Sequence, residues 1–332
     1  MKPPHSFVLS VAALAACASH PLAPRLQASW AEAVDPDSSP IHKIGTIDVD
    51  TVETSPVVFN DTLYRFESIR EGYHGNDTGV PYFQLVDVET GEATSAFAQG
   101  HALGSAYAED GKMYIFGVPG WGASTISVFV STDLVNWAQH EVLDLPGWEI
   151  YNTSVCKSDN GYVLVFEVGA PPEVVGNGFT GRFAESDDLL DWTLLPEPAV
   201  YTKEKYSACP TIRWTGGWFY MTHLDAIGGY QFETHMVRSR DLANWEQSPR
   251  NPVLTFDERD KTIASDRLSW GQIAEVQDAL NRNNSDIDYA QFDGQVVIYY
   301  SWGDQVGNEF LSKAFFDGTM DEFFAYYFPE GE

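Results

Sequence analysis

One seven-residue pattern, Ser-x-Asp-Leu-x-x-Trp, returns at nearly constant spacing and limits what this chain can fold into. It occupies residues 131–137, 186–192 and 239–245, and a weaker copy lies at 317–323. Ser and Asp side chains turn a chain by bonding to nearby backbone, and the Leu and Trp can then pack between neighbouring sheets. A repeat of this length predicts an array of small units that share one core.

A second repeated unit, a strand, a tight turn and an aromatic-rich strand, adds to this pattern. Its turns are Asn60-Asp61, Asp110-Gly111, Asn160-Gly161, Gly216-Gly217 and Asp293-Gly294. Such pairs favour two-residue hairpins. Five hairpins, each followed by two more strands, predict an all-β fold, a five-bladed β-propeller over residues 41–332. Apolar residues near helical spacing in 266–281 predict a short helical insertion before the last blade.

The N-terminal residues are typical of an export signal. Lys2 precedes an apolar run at 7–16 that is too short for a permanent membrane helix, so residues 1–17 are predicted to be a signal sequence. Cys17 fits either a lipoprotein signal, which would anchor the chain to a membrane by lipid, or a small-x-small site for soluble secretion. The Pro-, Ala- and Ser-rich residues 18–40 are predicted to be a flexible tether. Both alternatives place the folded domain outside the cytoplasm.

The formal net charge of −29 excludes some partners. It would repel nucleic acid and anionic membrane surfaces, and no run of Lys or Arg offers a polyanion a basic patch. A neutral substrate is therefore favoured. Beyond the tether the only cysteines are Cys156 and Cys209, which permit one disulfide but no cysteine-based metal motif.

The hairpins and the repeated motif together resemble the arabinanase/levansucrase/invertase group of five-bladed propeller glycosidases, which includes glycoside hydrolase families 43, 32 and 117. The resemblance implies a sugar pocket on the propeller axis. In family 43 it implies Asp-Pro opening blade one as general base, an Asp opening blade three, and Glu-Gly-Pro opening blade four as general acid. This chain has Ser-Pro at 55–56, Asn-Thr-Ser at 152–154 and Ala-Cys-Pro at 208–210. All three carboxylates are absent from those positions, so either the acids have moved to neighbouring inward positions or the propeller binds sugar without cleaving it.

Candidate acids follow from where the strands of a propeller begin and end. The first strand of each blade begins at the mouth of the central funnel, and the second strand returns to it. Glycosidic cleavage needs two carboxyl groups, one to protonate the leaving oxygen and one to activate water. The predicted catalytic residues are Glu53, Glu167, Asp225 and Asp286.

Sugar binding needs aromatic faces for the apolar C–H surfaces and polar groups for the hydroxyls. The predicted substrate-binding residues are Arg70, His74, His101, Trp121, Tyr151, Asn152, Tyr206, His223, Trp302 and Asp304. No cofactor is predicted. A divalent cation such as Ca²⁺ is a weaker alternative, because Asp286, Asp288 and Asp304 could converge, although their spacing matches no known calcium loop.

The predicted function is an exo-acting glycoside hydrolase on a neutral oligo- or polysaccharide, because a funnel closed by loops and a helix suits a chain end. One alternative is a non-catalytic glycan-binding propeller. Another is a polysaccharide lyase that uses Tyr151 or Tyr206 with His101 or His223.

Overall fold

The structure is a computed structural model that describes residues 39–330, and it is built mainly of antiparallel strands. This confirms the prediction of an all-β fold. The predicted signal sequence at 1–17, with Cys17, lies outside the described residues, and so does the predicted tether up to residue 38. None of the helices in 39–330 is long and apolar enough to cross a membrane.

The first described strand, β1 (Ile41–Val49), pairs with the last strand of the chain. The strands that follow it form three antiparallel sheets in chain order: β2 (Val52–Phe59), β3 (Thr62–Ile69) and β4 (Tyr82–Asp87); β5 (Ala102–Glu109), β6 (Lys112–Val118), β7 (Thr125–Ser131) and β8 (Ala138–Asp144); β9 (Glu149–Ser158), β10 (Gly161–Ala170), β11 (Thr180–Ser186) and β12 (Thr193–Leu194). Isolated bridges extend the outer edge of the first sheet, from Phe83 to Phe97 and from Val86 to Ala93.

The remaining strands belong to one eight-stranded sheet. They are β13 (Ala208–Thr215), β14 (Trp218–Gly228), β15 (Gln231–Ser239), β16 (Trp245–Gln247), β17 (Asn283–Phe292), β18 (Gln295–Gly303) and β19 (Glu309–Asp317), with β1 beside β19. Two antiparallel groups make up this sheet, β13–β16 and β17–β19 with β1, and a single parallel bridge between Phe232 and Asn283 joins them. The sequence did not predict that β1 completes the last group.

The first strands of these groups contact one another in sequence. β2 contacts β5, β5 contacts β9, β9 contacts β13, and β13 contacts β17, which in turn contacts β2. These contacts bring side chains from distant parts of the chain together near the N-terminal ends of the strands.

The repeated motif has the local structure that its residues predict. Ser131 Oγ accepts a hydrogen bond from the Leu134 amide at 2.9 Å, and Asp133 Oδ1 accepts from the amides of Val135 and Asn136. The other two copies hold the corresponding Asp contacts. In the first copy the Trp137 ring stacks on the Phe97 ring, with centroids 3.9 Å apart, so it packs against the preceding sheet.

Three α-helices are described, and one of them is the predicted insertion. They are α1 (Pro172–Val175), α2 (Trp270–Asp278) and α3 (Met320–Tyr327), and Glu258–Lys261 forms a 3-10 helix. The side chain of Ser269 caps α2 by accepting from the Gln272 amide. α2 directly precedes β17, which confirms a helix before the last strand group.

Close packing between sheets leaves no room for a side chain at Gly104. An added Cβ would lie 2.6 Å from the Phe116 carbonyl oxygen and 2.8 Å from Cζ of Phe83. Phe83 is fully buried among other aromatic rings and has no space to move into. Gly104→Ala is expected to lower the free energy of unfolding by about 2 kcal/mol, measured by urea denaturation. Gly271→Ala is the control, because its Cβ would come no closer than 3.9 Å to Ser269 Oγ; equal losses in the two variants would contradict this explanation.

Candidate functional site

A small pocket lies where the first strands begin, and we call it the inner-strand pocket. Its lining comes from all five first strands: Glu53, Thr54, Ser55, Gly104, Ser105, Asn152, Thr153, Cys209, Pro210, Thr211, Asp286 and Asp288. Its volume of about 30 Å³ is close to that of one water molecule. A sugar therefore cannot enter this pocket, and a saccharide would have to lie across its mouth.

Local backbone geometry aims the acidic side chains of two first strands at this pocket. Glu53 and Asp286 have positive φ angles of 47° and 49°, and Leu103 and Cys209 have similar values at the start of their own strands. The pairing register of β2, β5, β13 and β17 shifts at the same points. Bulges of this kind redirect a side chain, and such unfavourable φ angles concentrate at functional sites. The positive φ angles show that the backbone is strained at the starts of these strands.

Glu53 and Glu309 share one cation. Arg70 donates to Glu53 Oε1 at 2.9 Å and to Glu309 Oε2 at 3.1 Å. The other oxygen of Glu53, Oε2, is buried and has no hydrogen-bond partner within the described chain. Burial raises the pKa of Glu53 to about 8, because Arg70 offsets only part of the desolvation and the charges of Asp286 and Glu309 raise it further. Glu53 can therefore hold a proton near neutral pH.

Glu167 does not itself line the pocket, but it bonds to two residues that do, Asn152 and Cys209. Its Oε2 accepts from the Cys209 amide at 2.6 Å and from Asn152 Nδ2 at 3.1 Å. Burial raises the pKa of Glu167 to about 7, although both hydrogen bonds oppose this shift. The charge of Asp286 also raises it, so Asp286 lies within electrostatic reach of both glutamates.

The structure thus brings together six predicted residues: Glu53, Glu167, Asp286, Arg70, Asn152 and Tyr206. Two members of the group were not among the predicted catalytic or substrate-binding residues, although Glu309 was expected to face the axis. Glu309 follows a loop and binds Arg70, and Cys209 Sγ lies 3.5 Å from Asn152 Nδ2 and hydrogen-bonds with Asp286. The start of β19 signalled Glu309, whereas no pattern distinguishes Cys209 from a core cysteine. Cys156 and Cys209 are both free thiols, so they do not form a disulfide.

A row of aromatic rings connects the inner-strand pocket with solvent. Trp121, which is 68% exposed, packs edge-on against Tyr151 at 5.2 Å, and Tyr151 packs against Phe179 at the same distance. Phe179 in turn meets Tyr206 at 5.7 Å. Trp121 and Tyr206, both predicted to bind substrate, therefore lie at the two ends of one aromatic row.

Two predicted residues belong to a different group on β14. Asp225 forms an ion pair with Lys205 and lies 3.5 Å from His235 Nδ1. His223 is fully buried, and burial lowers its pKa to about 3, so it is neutral. The structure does not place Asp225 or His223 among the lining residues of the inner-strand pocket.

Four other predicted residues have structural contacts of their own. His101 lies near Ser127 Oγ at 3.3 Å, and His74 lies 3.3 Å from Gln272 of α2. Asp304 accepts from amides of its own loop. Trp302 is fully buried, stacks on Phe310 and donates to Thr46 Oγ1 at 2.8 Å. Protein atoms cover both faces of the Trp302 ring, so it cannot stack on a sugar.

The weaker alternative of a divalent cation finds no matching geometry. Within residues 39–330, no three His, Cys, Asp or Glu side chains form a group that could hold a metal ion. Asp288 forms an ion pair with Arg213, and Asp304 binds its loop amides. Both carboxylates therefore already have partners of their own.

The raised pKa of Glu167 predicts a pH-dependent contribution to stability. A glutamate in the unfolded chain ionises near pH 4.3, whereas Glu167 in the folded chain ionises near 7. Its contribution is complete below about pH 4 and is lost as pH rises to about 7. The unfolding free energy of the native chain minus that of Glu167→Gln is expected to fall by about 3 kcal/mol between pH 4 and 8. Denaturation at several pH values tests this, with Glu185→Gln, at an exposed position on β11, as the control; a constant difference would contradict it.

Comparisons with known proteins relate this geometry to one structural group. No family model matches the sequence, and no curated protein is similar to it. A solved structure described as a glycoside hydrolase matches with a TM-score of 0.58 at 14% identity, covering 84% of this chain and 92% of that one. An exo-1,5-alpha-L-arabinanase from a bovine ruminal metagenomic library matches at 0.51 and 12% identity, covering 81% and 93%.

A xylan beta-1,4-xylosidase from Bacillus halodurans C-125 matches with a TM-score of 0.57 at 12% identity, covering 85% of this chain and 55% of that one. These likenesses confirm the resemblance to the propeller glycosidases. At such low identity they concern the fold alone.

Proposed function

We propose that this chain is an exo-acting glycoside hydrolase that cleaves a neutral oligo- or polysaccharide at the mouth of the inner-strand pocket. The observation that carries the proposal is the convergence of Glu53, Glu167 and Asp286 on one site, with the pKa of both glutamates raised toward 7 or 8. Perturbed carboxyl groups in a cleft are typical of catalytic sites. We also propose that the fold is a five-bladed propeller, and the contacts that link β2, β5, β9, β13 and β17 in turn support this.

Glu53 is the proposed general acid. It is buried, it holds its proton near neutral pH, and its Oε2 has no partner within the described residues. In the proposed reaction the Glu53 carboxyl group turns toward the mouth, so that its protonated Oε2, which is buried in this structure, donates to the glycosidic oxygen of a saccharide. Arg70 fixes the other oxygen and so orients the carboxyl group. Proton donation to the leaving group accelerates such reactions by about 10²–10⁴-fold.

Asp286 is the proposed base or nucleophile on the second side of the bond. It lines the same pocket, on the strand that contacts the strand of Glu53. Glu167 accepts hydrogen bonds from Asn152 and from the Cys209 amide and so holds both in place. Asp225, also predicted as catalytic, would act on substrate beyond the pocket, where Lys205 and His235 surround it.

Action at a chain end is supported by the likeness in fold to an exo-1,5-alpha-L-arabinanase. The pocket below the acids has room for about one water molecule, so a saccharide would lie above it. The exposed ring of Trp121, which packs on buried Tyr151, offers an aromatic platform. We also propose export through residues 1–17, either as a lipoprotein anchored at Cys17 or as a soluble secreted protein.

The lyase alternative has less support from the side chains that it requires. Burial raises the pKa of Tyr151 and Tyr206 further above 10, so neither phenol readily loses a proton.

The glycan-binding alternative is favoured by one observation, the presence of Ser55, Asn152 and Ala208 where family 43 acids are expected.

The purified chain incubated with a panel of neutral oligosaccharides distinguishes these functions. We expect release of a monosaccharide or short product from a chain end, detected by chromatography. An unsaturated product that absorbs in the ultraviolet would indicate a lyase instead. Oligosaccharides that bind but remain intact after long incubation would indicate a glycan-binding protein and overturn the proposed hydrolase.

A further inference from the structure

A second cavity lies apart from the inner-strand pocket, between the β17–β19 group with β1 and the β2–β4 sheet. Its volume is about 620 Å³, which is within the range of small-molecule sites. Ile47 and Asp48 of β1, Arg65 and Glu67 of β3, and Lys313 of β19 contribute to its walls. It shares no lining residue with the inner-strand pocket.

Lys313 is the unusual residue of this second cavity. It is half-buried, and within residues 39–330 its ammonium group forms no hydrogen bond and no ion pair. Burial and the charge of nearby Arg65 both lower the pKa of Lys313. A half-buried cation without a counter-charge is costly, and anions are the ligands that relieve this cost.

Five acids line the cavity, Asp48, Glu67, Asp87, Glu89 and Asp266, and two of them, Asp48 and Glu67, are engaged by other groups. Glu67 forms an ion pair with Arg65 at 2.6 Å and accepts from Gln84 at 2.6 Å. Asp48 accepts from its neighbouring amide and from Tyr73 Oη at 2.9 Å. They therefore leave the charge of Lys313 available to a ligand.

Another cation lines the same cavity from a distant part of the chain. Arg267 donates to the Gly91 carbonyl at 3.1 Å, and no carboxylate within the described chain pairs with it. Arg267 and Lys313 are therefore the two cations of this cavity that no carboxylate of the described residues pairs with, whereas Arg65 is paired with Glu67.

The rest of the lining suits a hydroxylated body. Tyr73, His74, Gln84 and Gln272 offer hydrogen-bonding groups. We propose that the second cavity binds a short acidic saccharide, with a carboxylate of the sugar on Lys313 and its hydroxyl groups on the polar walls. This site is independent of the proposed hydrolase activity, because no residue of the inner-strand pocket takes part.

Saturation-transfer NMR on the full chain tests this site with a digalacturonate and with the uncharged galactose disaccharide of the same linkage. The measurements use the Glu53→Gln background, so that cleavage cannot remove either ligand. We expect the acidic disaccharide to bind, and the neutral one to bind at least about tenfold more weakly. Inorganic sulfate, which has no protons to observe, is tested by isothermal titration calorimetry; binding of sulfate without binding of digalacturonate would overturn the saccharide assignment.

Variants at Lys313 locate the binding. Lys313→Met is expected to weaken digalacturonate binding by about tenfold or more, whereas Lys313→Arg, which keeps the charge, should retain most of it. Lys157→Met, which removes an exposed cation paired with Glu109, is the control and should bind as the background does. Equal binding of the two disaccharides, no binding of either, or unchanged binding in Lys313→Met would each overturn the proposal. Circular dichroism spectra confirm that the variants compared are folded.

Discussion

Replacing Glu53 with glutamine is expected to lower kcat on an unactivated oligosaccharide by about 10²–10⁴-fold, because the variant cannot donate a proton to the leaving oxygen. The same variant should remain active on a dinitrophenyl glycoside, whose leaving group needs no proton. Glutamine keeps the shape of the side chain and can still accept from Arg70. Steady-state kinetics on both substrates measures the two effects.

Two controls accompany this variant. Glu71→Gln removes an exposed carboxylate next to Arg70 in sequence and should leave kcat unchanged within about twofold. Asp225→Asn tests the other predicted acid, and we expect a smaller loss than for Glu53→Gln, because Asp225 is paired with Lys205. An equal loss on the oligosaccharide and the dinitrophenyl glycoside would show that Glu53 is not the general acid.

Asp286→Asn is expected to lower kcat by about 10²–10⁴-fold on both substrates, because either bond cleavage needs an activated water or a nucleophile. This contrast with Glu53→Gln assigns the two roles without knowledge of the sugar. Asp293→Asn, in the hairpin turn after the same strand, is the matched control. If Asp286→Asn cleaved the dinitrophenyl glycoside at the native rate, Asp286 would have no such role.

Short-range patterns predicted much of this fold. The turn formed by Ser131 and Asp133 depends on residues two and three positions apart, so the sequence alone determines it. The hairpins and α2 are local in the same sense. Glu53 and Asp286 were identified because each opens a first strand, and the structure places both in the inner-strand pocket.

Long-range pairing accounts for what the sequence did not predict. β1 pairs with β19, more than 260 residues away, and its Thr46 covers Trp302. Trp302 is therefore buried although it lies near a strand end. Contacts made by loops were also not predicted, because Lys205 approaches Asp225 from a segment without a periodic pattern. The cations of the second cavity are likewise far apart in sequence, so the sequence contains no run of basic residues that would predict this cluster.

A crystal structure of Glu53→Gln with an oligosaccharide that the native chain cleaves would show which acids meet the scissile bond. We expect a sugar residue across the mouth of the inner-strand pocket, with its glycosidic oxygen within hydrogen-bond distance of residue 53 and Asp286 on the other side of the bond. A saccharide bound only elsewhere, with residues 53, 167 and 286 out of its reach, would show that these acids do not form the active site.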